Sequence, residues 1–278
     1  HEIYYGIEGI FNQVESRGES WNIASLERTS LQSRYPDSDW YSAAIYVSDK
    51  YNFSSKWILH TAARFNWYGL NSSFDTSLFS LPFNEASLNH SALNGSIGLV
   101  HQASSNFTQS FNFSTGFRAP NVDDMGKIFD SEPSAIVVPN PDLEEEYAFN
   151  FDYKVEKRFA DNFQLGVVFF YTFLENAMVR RDYRLNGQDS IVYEGELSQV
   201  QAIQNAASAY VYGSQLEVNW RLNTSLTLRS QINYQKGEEE MDNGESSPSR
   251  HVAPLFGSSS ISYEKGKIQL MFFANYNG

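Results

Sequence analysis

The stretch from Phe107 to Tyr153 limits the folds open to this chain more than any other. It opens with Phe107-Thr-Gln-Ser-Phe-Asn-Phe-Ser-Thr-Gly-Phe-Arg118 and crosses an irregular segment, Ala119 to Asp142. It resumes as Leu143-Glu-Glu-Glu-Tyr-Ala-Phe-Asn-Phe-Asp-Tyr153. Side chains on a strand alternate between two faces. Phe107, Phe111, Phe113, Thr115 and Phe117 therefore share one face, and Thr108, Ser110, Asn112, Ser114, Gly116 and Arg118 share the other. The second half repeats the division, with Tyr147, Phe149, Phe151 and Tyr153 against Glu146, Ala148, Asn150 and Asp152. Both halves exceed the usual soluble strand of about 5–6 residues. An aromatic face backed by a polar one, at that length, is the pattern of a strand with lipid on one side and a polar lumen on the other.

The same alternation recurs along the chain. Strands are expected over Ile3 to Val14, Tyr41 to Tyr51, Trp57 to Trp67, Leu93 to His101 and Phe163 to Phe173. They continue over Ser208 to Arg221, Leu226 to Tyr234, Leu255 to Tyr263 and Ile268 to Tyr276. Val168 and Phe170 spoil the alternation in the fifth of these. With the opening pair this makes about eleven strands. Short connections, such as Asn52 to Ser55 and Ala160 to Asn162, take turns with long ones. The long ones are expected over Glu15 to Asp39, Gly69 to Ala92, Ala119 to Asp142, Glu175 to Ala207 and Lys236 to Pro254. Phe79, Leu81 and Phe83 in the second should fold back on the structure. An antiparallel meander puts successive connections at opposite ends, so one end has only tight turns and the other only long loops. Outer-membrane barrels are built this way, whereas sandwiches and jelly rolls have no reason to segregate loop length. The fold expected is all-β: an antiparallel up-and-down meander, part of a large transmembrane β-barrel, with residues 1–278 forming one partial barrel domain.

Composition excludes other classes. Acidic residues outnumber basic ones by 33 to 20, a net charge of −13, which argues against sequence-independent nucleic-acid binding. There is no cysteine, so disulfide frameworks and thiolate metal sites are out. No apolar run approaches the 18 or so residues of a membrane helix; the longest is Leu165 to Leu174. His1-Glu2-Ile3 shows no basic-then-apolar leader, and the chain reads as an internal piece of something longer.

Gly116-Phe-Arg-Ala-Pro-Asn121, followed by Asn140-Pro-Asp-Leu-Glu-Glu-Glu146, closely resembles the strand–loop–strand signature of TonB-dependent outer-membrane receptors. Gly116, Arg118, Pro120, Asn140, Pro141 and Glu146 carry the match. Asn205-Ala-Ala207, Tyr212-Gly-Ser-Gln-Leu-Glu217 and Ala253-Pro-Leu-Phe-Gly257 are similar to that family too. One departure is Glu145, where the family usually has proline; it would loosen the strand entry. The resemblance implies a barrel of about 22 strands with a plugged lumen, of which this chain supplies about eleven. It implies a Gram-negative outer-membrane location, with membrane lipid as one partner. It also implies coupling to the TonB complex through an N-terminal part absent here, and import of a ferric siderophore or other iron chelate, haem or a similar large scarce nutrient. A passive porin or structural barrel, and a soluble β-rich carbohydrate-binding protein, are the competing readings.

No catalytic constellation, phosphate loop or metal-ligand spacing appears, and no cofactor or enzyme activity is expected. His90 and His251 fall in or beside long loops, within reach of a haem or chelate, although a solvated loop histidine is the plainer reading. Arg180, Arg181 and Tyr183 sit at the expected base of the longest loop and offer an anionic ligand a planar fork; a salt-bridged loop base competes with that role. Glu238 to Glu240 with Asp242 and Glu245 lack the ordered spacing of a calcium loop.

Overall fold

The computed structural model describes residues 1–77, 81–132, 134–193, 195–240, 246–248 and 252–278. Phe79, Asp242, Glu245 and His251 lie outside them. Among the described residues, eleven antiparallel strands run in sequence order as one sheet. They are β1 (Glu2–Val14), β4 (Asp37–Asn52), β5 (Trp57–Ser73), β6 (Glu85–Ser104), β7 (Phe107–Arg118), β10 (Glu146–Phe159), β11 (Phe163–Asp182), β13 (Glu196–Arg221), β14 (Leu226–Glu240), β16 (Leu255–Lys265) and β17 (Ile268–Asn277). The remaining elements lie in the long connections: a hairpin of β2 (Gly18–Trp21) and β3 (Arg28–Leu31), a helical turn α1 (Val122–Met125), and the short strands β8 (Phe129–Glu132), β9 (Ala135–Val137), β12 (Ser190–Tyr193) and β15 (Ser246–Pro248). The meander, the strand count and the all-β class are those expected, and short and long connections alternate end to end.

Register assigns the faces. Phe113 pairs with Ile97 and Phe151, Phe151 with Tyr171, and Tyr171 with Tyr212. That row continues the aromatic face across the sheet. Phe111, Phe149, Leu165, Val167, Leu216 and Trp220 lie on the same face by the same pairings. This face is uncovered: Ile7, Phe65, Leu93, Phe169 and Phe272 are among its exposed side chains. A contiguous apolar surface of that extent belongs against an apolar medium. Aromatic contacts cluster at both margins. Tyr51, Phe53, Trp57 and His101 form a chain near the short turns, as do Phe159, Phe163 and Trp220. Tyr41 meets Trp67, and Tyr171 meets Tyr210, toward the long loops. Trp57 and Trp67 lie ten residues apart on β5. That is about 33 Å along the strand and about 25 Å along an axis tilted by about 40°, the height of a barrel's apolar band. Tyr153 departs from this margin pattern: it sits six residues above the end of β10 and its hydroxyl donates to Gln109 Oε1 at 2.9 Å.

The strands are longer than expected, and two expected loops are largely strand. β5 runs on to Ser73 and β6 starts at Glu85, so Gly69 to Ala92 is not a loop; the connection is residues 74–84. Glu175 to Ala207 is likewise mostly strand, because β11 and β13 continue to Asp182 and from Glu196. β14 also extends into Lys236 to Pro254. The physical reason is an inversion of facing. Within lipid the apolar side chains of β5 are the odd ones, Trp57 to Trp67. Above it Tyr68 and Leu70 are apolar and buried, while Asn71 and Ser73 face water. Outside the bilayer the dry side is the inside. On β11 and β13 a pair of register shifts between Leu174 and Met178 re-aims the side chains above it.

The inward side chains build a dry cap at the long-loop end. Its core is Leu70, Phe74, Leu81, Leu88, Met125, Ile128, Ile136, Val138, Leu143, Leu185, Val200 and Ala202, with Phe83 packed against it. Leu81 and Phe83 thus fold back as expected.

Candidate functional site

The connection between β7 and β10, residues 119–145, is the longest and turns into the lumen side. Its start is a capped helical turn. The Asn121 side chain accepts from the backbone N–H groups of Asp123 and Asp124, and Asp124 answers by accepting from the backbone N–H of Asn121. This reciprocal capping satisfies the first amides of α1. The chain then forms β8 and β9, and β9 pairs in parallel with Gln199–Gln201 of β13.

Most of the family-like residues anchor this connection. Pro120 and Pro139 are fully buried. Asn140 is 5% exposed; its Nδ2 donates to the Ile203 carbonyl at 2.7 Å and its Oδ1 accepts from Asp142 N at 3.1 Å. Asn205 supports the same corner, accepting from Glu144 N at 2.8 Å and donating to the Glu144 and Asn176 carbonyls. Pro141 is half-buried beside it. Gly116 is the exception: a Cβ there would meet nothing within 4 Å, so this wall gives no steric reason for glycine.

Arg118 and Glu146 are direct cross-strand partners, and their side chains meet, Nη1 to Oε2, at 3.1 Å. The guanidinium does not grip one carboxylate with both arms. Its Nη2 reaches Asp124 Oδ1 at 2.5 Å, and Glu146 Oε1 accepts from Met178 N at 2.5 Å. One node therefore ties β7, α1, β10 and the bulged part of β11. The second foot is held separately. Glu145 Oε2 accepts from the Tyr68 hydroxyl at 2.9 Å and lies 3.7 Å from His90 Nδ1. The residue expected to loosen the strand entry instead fastens it to β5.

A further contact joins this connection to residues 15–36. Tyr35 donates to Asp123 Oδ1 at 2.8 Å, and Lys127 Nζ lies 3.0 Å from Asp123 Oδ2. Burial pushes the Asp123 carboxyl up, but the bonds from Tyr35 and Lys127 outweigh it and hold the group below its ordinary range. The bond to Asp123, with burial, raises the Tyr35 phenol. Arg34 and Lys127 flank the Phe129 ring at 4.9 and 4.5 Å.

The candidate ligand residues do not converge. His90 lies within β6, not in a loop, and stacks on Tyr68 with ring centroids 6.0 Å apart. Arg180 and Arg181 lie within β11 rather than at the base of the longest loop, and Arg181 Nη2 donates to the Glu240 carbonyl at 3.1 Å. Tyr183 follows β11 and packs against the cap core. β6 and β11 are three strands apart, roughly 14 Å. No group of three or more His, Asp or Glu able to hold a metal occurs among the described residues.

Comparison with curated proteins finds no match. Solved structures share the fold at low identity. The copper transporter OprC aligns with a TM-score of 0.75 at 11% identity, covering 98% of this chain and 40% of its own. The Serratia marcescens hemophore receptor HasR, in complex with its hemophore HasA and heme, aligns at 0.73 and 12%, covering 99% and 48%. The Acinetobacter baumannii siderophore receptor PiuA aligns at 0.64 and 14%, covering 90% and 35%. The chain thus spans less than half the length of each. Residues 2–278 match the model of the TonB dependent receptor-like beta-barrel, and the chain belongs to that family of transport receptors of the Gram-negative outer membrane.

Proposed function

We propose that the intact protein imports a large scarce nutrient, a ferric siderophore, haem or a similar chelate, with energy delivered by TonB through a part outside this sequence. The observation that carries this reading is the inward course of residues 119–145. A passive pore needs an open water path along its wall. Here the longest outer connection turns inward and packs Met125, Ile136 and Leu143, each at most 1% exposed, into a dry cap. A capped wall suits a receptor that holds a ligand and releases it on demand. His90, Arg180, Arg181 and Tyr183 are proposed as separate ligand contacts rather than as one cluster, His251 is proposed from the sequence alone, and no catalytic step is assigned to the chain. Deleting the parent gene should abolish growth on one scarce nutrient while small-solute permeability stays unchanged. Uptake should stop when the proton gradient is collapsed. Loss of general permeability with gradient-independent uptake would favour a porin and refute the proposal.

A further inference from the structure

Polar side chains on a lipid-facing wall need a reason, because a donor buried against acyl chains without a partner is costly. Four strands bring such a group together at the short-turn margin. Direct pairing sets the outward row Trp57, His101, Gln109 and Val155 across β5, β6, β7 and β10. His101 stacks on Trp57 with ring centroids 4.0 Å apart. Gln109 Nε2 lies 3.0 Å from His101 Nδ1, and Gln109 Oε1 accepts from the Tyr153 hydroxyl at 2.9 Å. Tyr153, set above the margin, thus reaches down to hold the amide. An amide nitrogen donates only, so His101 Nδ1 accepts and the ring proton sits on Nε2. That N–H and the second N–H of Gln109 meet no acceptor among the described residues.

Lys157 shares this face, two residues from the end of β10. Its ammonium lies 5.3 Å from the Phe107 ring centroid and 5.9 Å from that of Phe159. The carboxylates of β10, Glu146, Asp152 and Glu156, alternate to the other face, and β7 has none. Depth orders the donors. Phe107 pairs with Lys157 and Gln109 with Val155. The amide therefore lies two residues deeper than the lysine, about 5 Å along the axis of a wall tilted by about 40°. A glycerophospholipid carries its acceptors in the same order. Its phosphate is outermost, its ester carbonyls lie one glycerol unit deeper, and its acyl chains follow.

We propose that this patch is a specific site for an anionic glycerophospholipid of the periplasmic leaflet. Lys157 takes the phosphate, and the Gln109 and His101 N–H groups take the ester carbonyls. The acyl chains lie along the aromatic wall above. A headgroup without an amine fits best, since an ammonium would sit beside Lys157. The site does not depend on which nutrient the receptor imports.

The test uses the intact receptor in nanodiscs of phosphatidylethanolamine with a minor share of phosphatidylglycerol of the same acyl chains. Native mass spectrometry counts the lipids that stay bound. Phosphatidylglycerol should be retained above its share of the bilayer. Lys157→Gln should lower that enrichment about fivefold. Gln109→Leu should lower retention of both lipids, because both carry esters. Lys154→Gln, on the lumen face beside Glu156, should change neither, and the circular dichroism of all three variants should match the parent's. Retention in proportion to the bilayer, enrichment unmoved by Lys157→Gln, or an equal fall in Lys154→Gln would overturn the proposal. Displacement of the lipid by glycerol 3-phosphate would also overturn it, because the site would then read a soluble phosphate.

Discussion

Removing the Glu146 carboxylate should free the long connection from the barrel wall. In Glu146→Ala the Arg118 bond is lost. Arg118 is 46% exposed, so this counts as a surface pair, about 1 kcal/mol. The Met178 N–H then loses its acceptor, at about 1–3 kcal/mol for a donor left unsatisfied. Together these destabilise the closed connection by about 2–4 kcal/mol. Arg118→Ala strands two carboxylates, Glu146 and Asp124, which are 12% and 10% exposed. A fully buried pair broken in this way costs about 3–5 kcal/mol; with Arg118 half open to solvent, about 2 is expected. The double variant should cost about 3 rather than the sum, because the two changes share one interaction. Hydrogen exchange across residues 119–145 of the intact receptor reads this opening directly. A 2 kcal/mol loss is roughly a 30-fold fall in protection, with the global melting temperature little moved. Unchanged protection in either single variant, or full additivity in the double, would refute the reasoning.

Other outcomes follow from single contacts. Asn140→Ala leaves the Ile203 carbonyl and Asp142 N–H without their partners and should destabilise the same connection by about 2 kcal/mol, seen as faster exchange of residues 138–145. Gly213→Ala would drive a Cβ into the Tyr234 carbonyl and to 3.0 Å from Gln235 Cα; about 1–3 kcal/mol should appear as a lower melting temperature, whereas Gly116→Ala should leave it unchanged. The contact between residues 15–36 and 119–145 should be acid-sensitive. The Asp123 carboxyl is depressed in the folded state, so its contribution is full above the ordinary Asp range near about 4 and is lost as pH falls through the folded value. Tyr35→Phe should shrink that pH dependence, measured by exchange in residues 28–36.

The eleven strands were legible because lipid enforces strict alternation, as Phe149, Phe151 and Tyr153 show. The same rule hid the strand tops. Above Trp67 the apolar positions pass to Tyr68 and Leu70, so a reader following the lipid parity sees the pattern break where the strand continues. The bulges between Leu174 and Met178 had the same effect on β11, and placed Arg180 and Arg181 in a strand. Arg118 opposite Glu146 could be inferred from spacing alone, since both lie at the ends of strands bounding one connection. The contacts of Asp124 and Met178 with that pair could not, because they depend on how α1 and the β11 bulge fold. Glu145 was legible as a departure from the family pattern, but its bond to Tyr68, 77 residues away, needs the register of four strands.

The most direct test of the account is a nitroxide scan of β10, residues 146–159, in the intact receptor reconstituted in bilayers. A period of two is expected through the band. Labels at 149, 151 and 153 should be accessible to oxygen and shielded from a water-soluble nickel reagent, and labels at 150, 152 and 154 should show the reverse. Equal accessibility at neighbouring positions, or nickel access at 149, 151 and 153, would contradict a wall with lipid on its aromatic face and a lumen on its polar one.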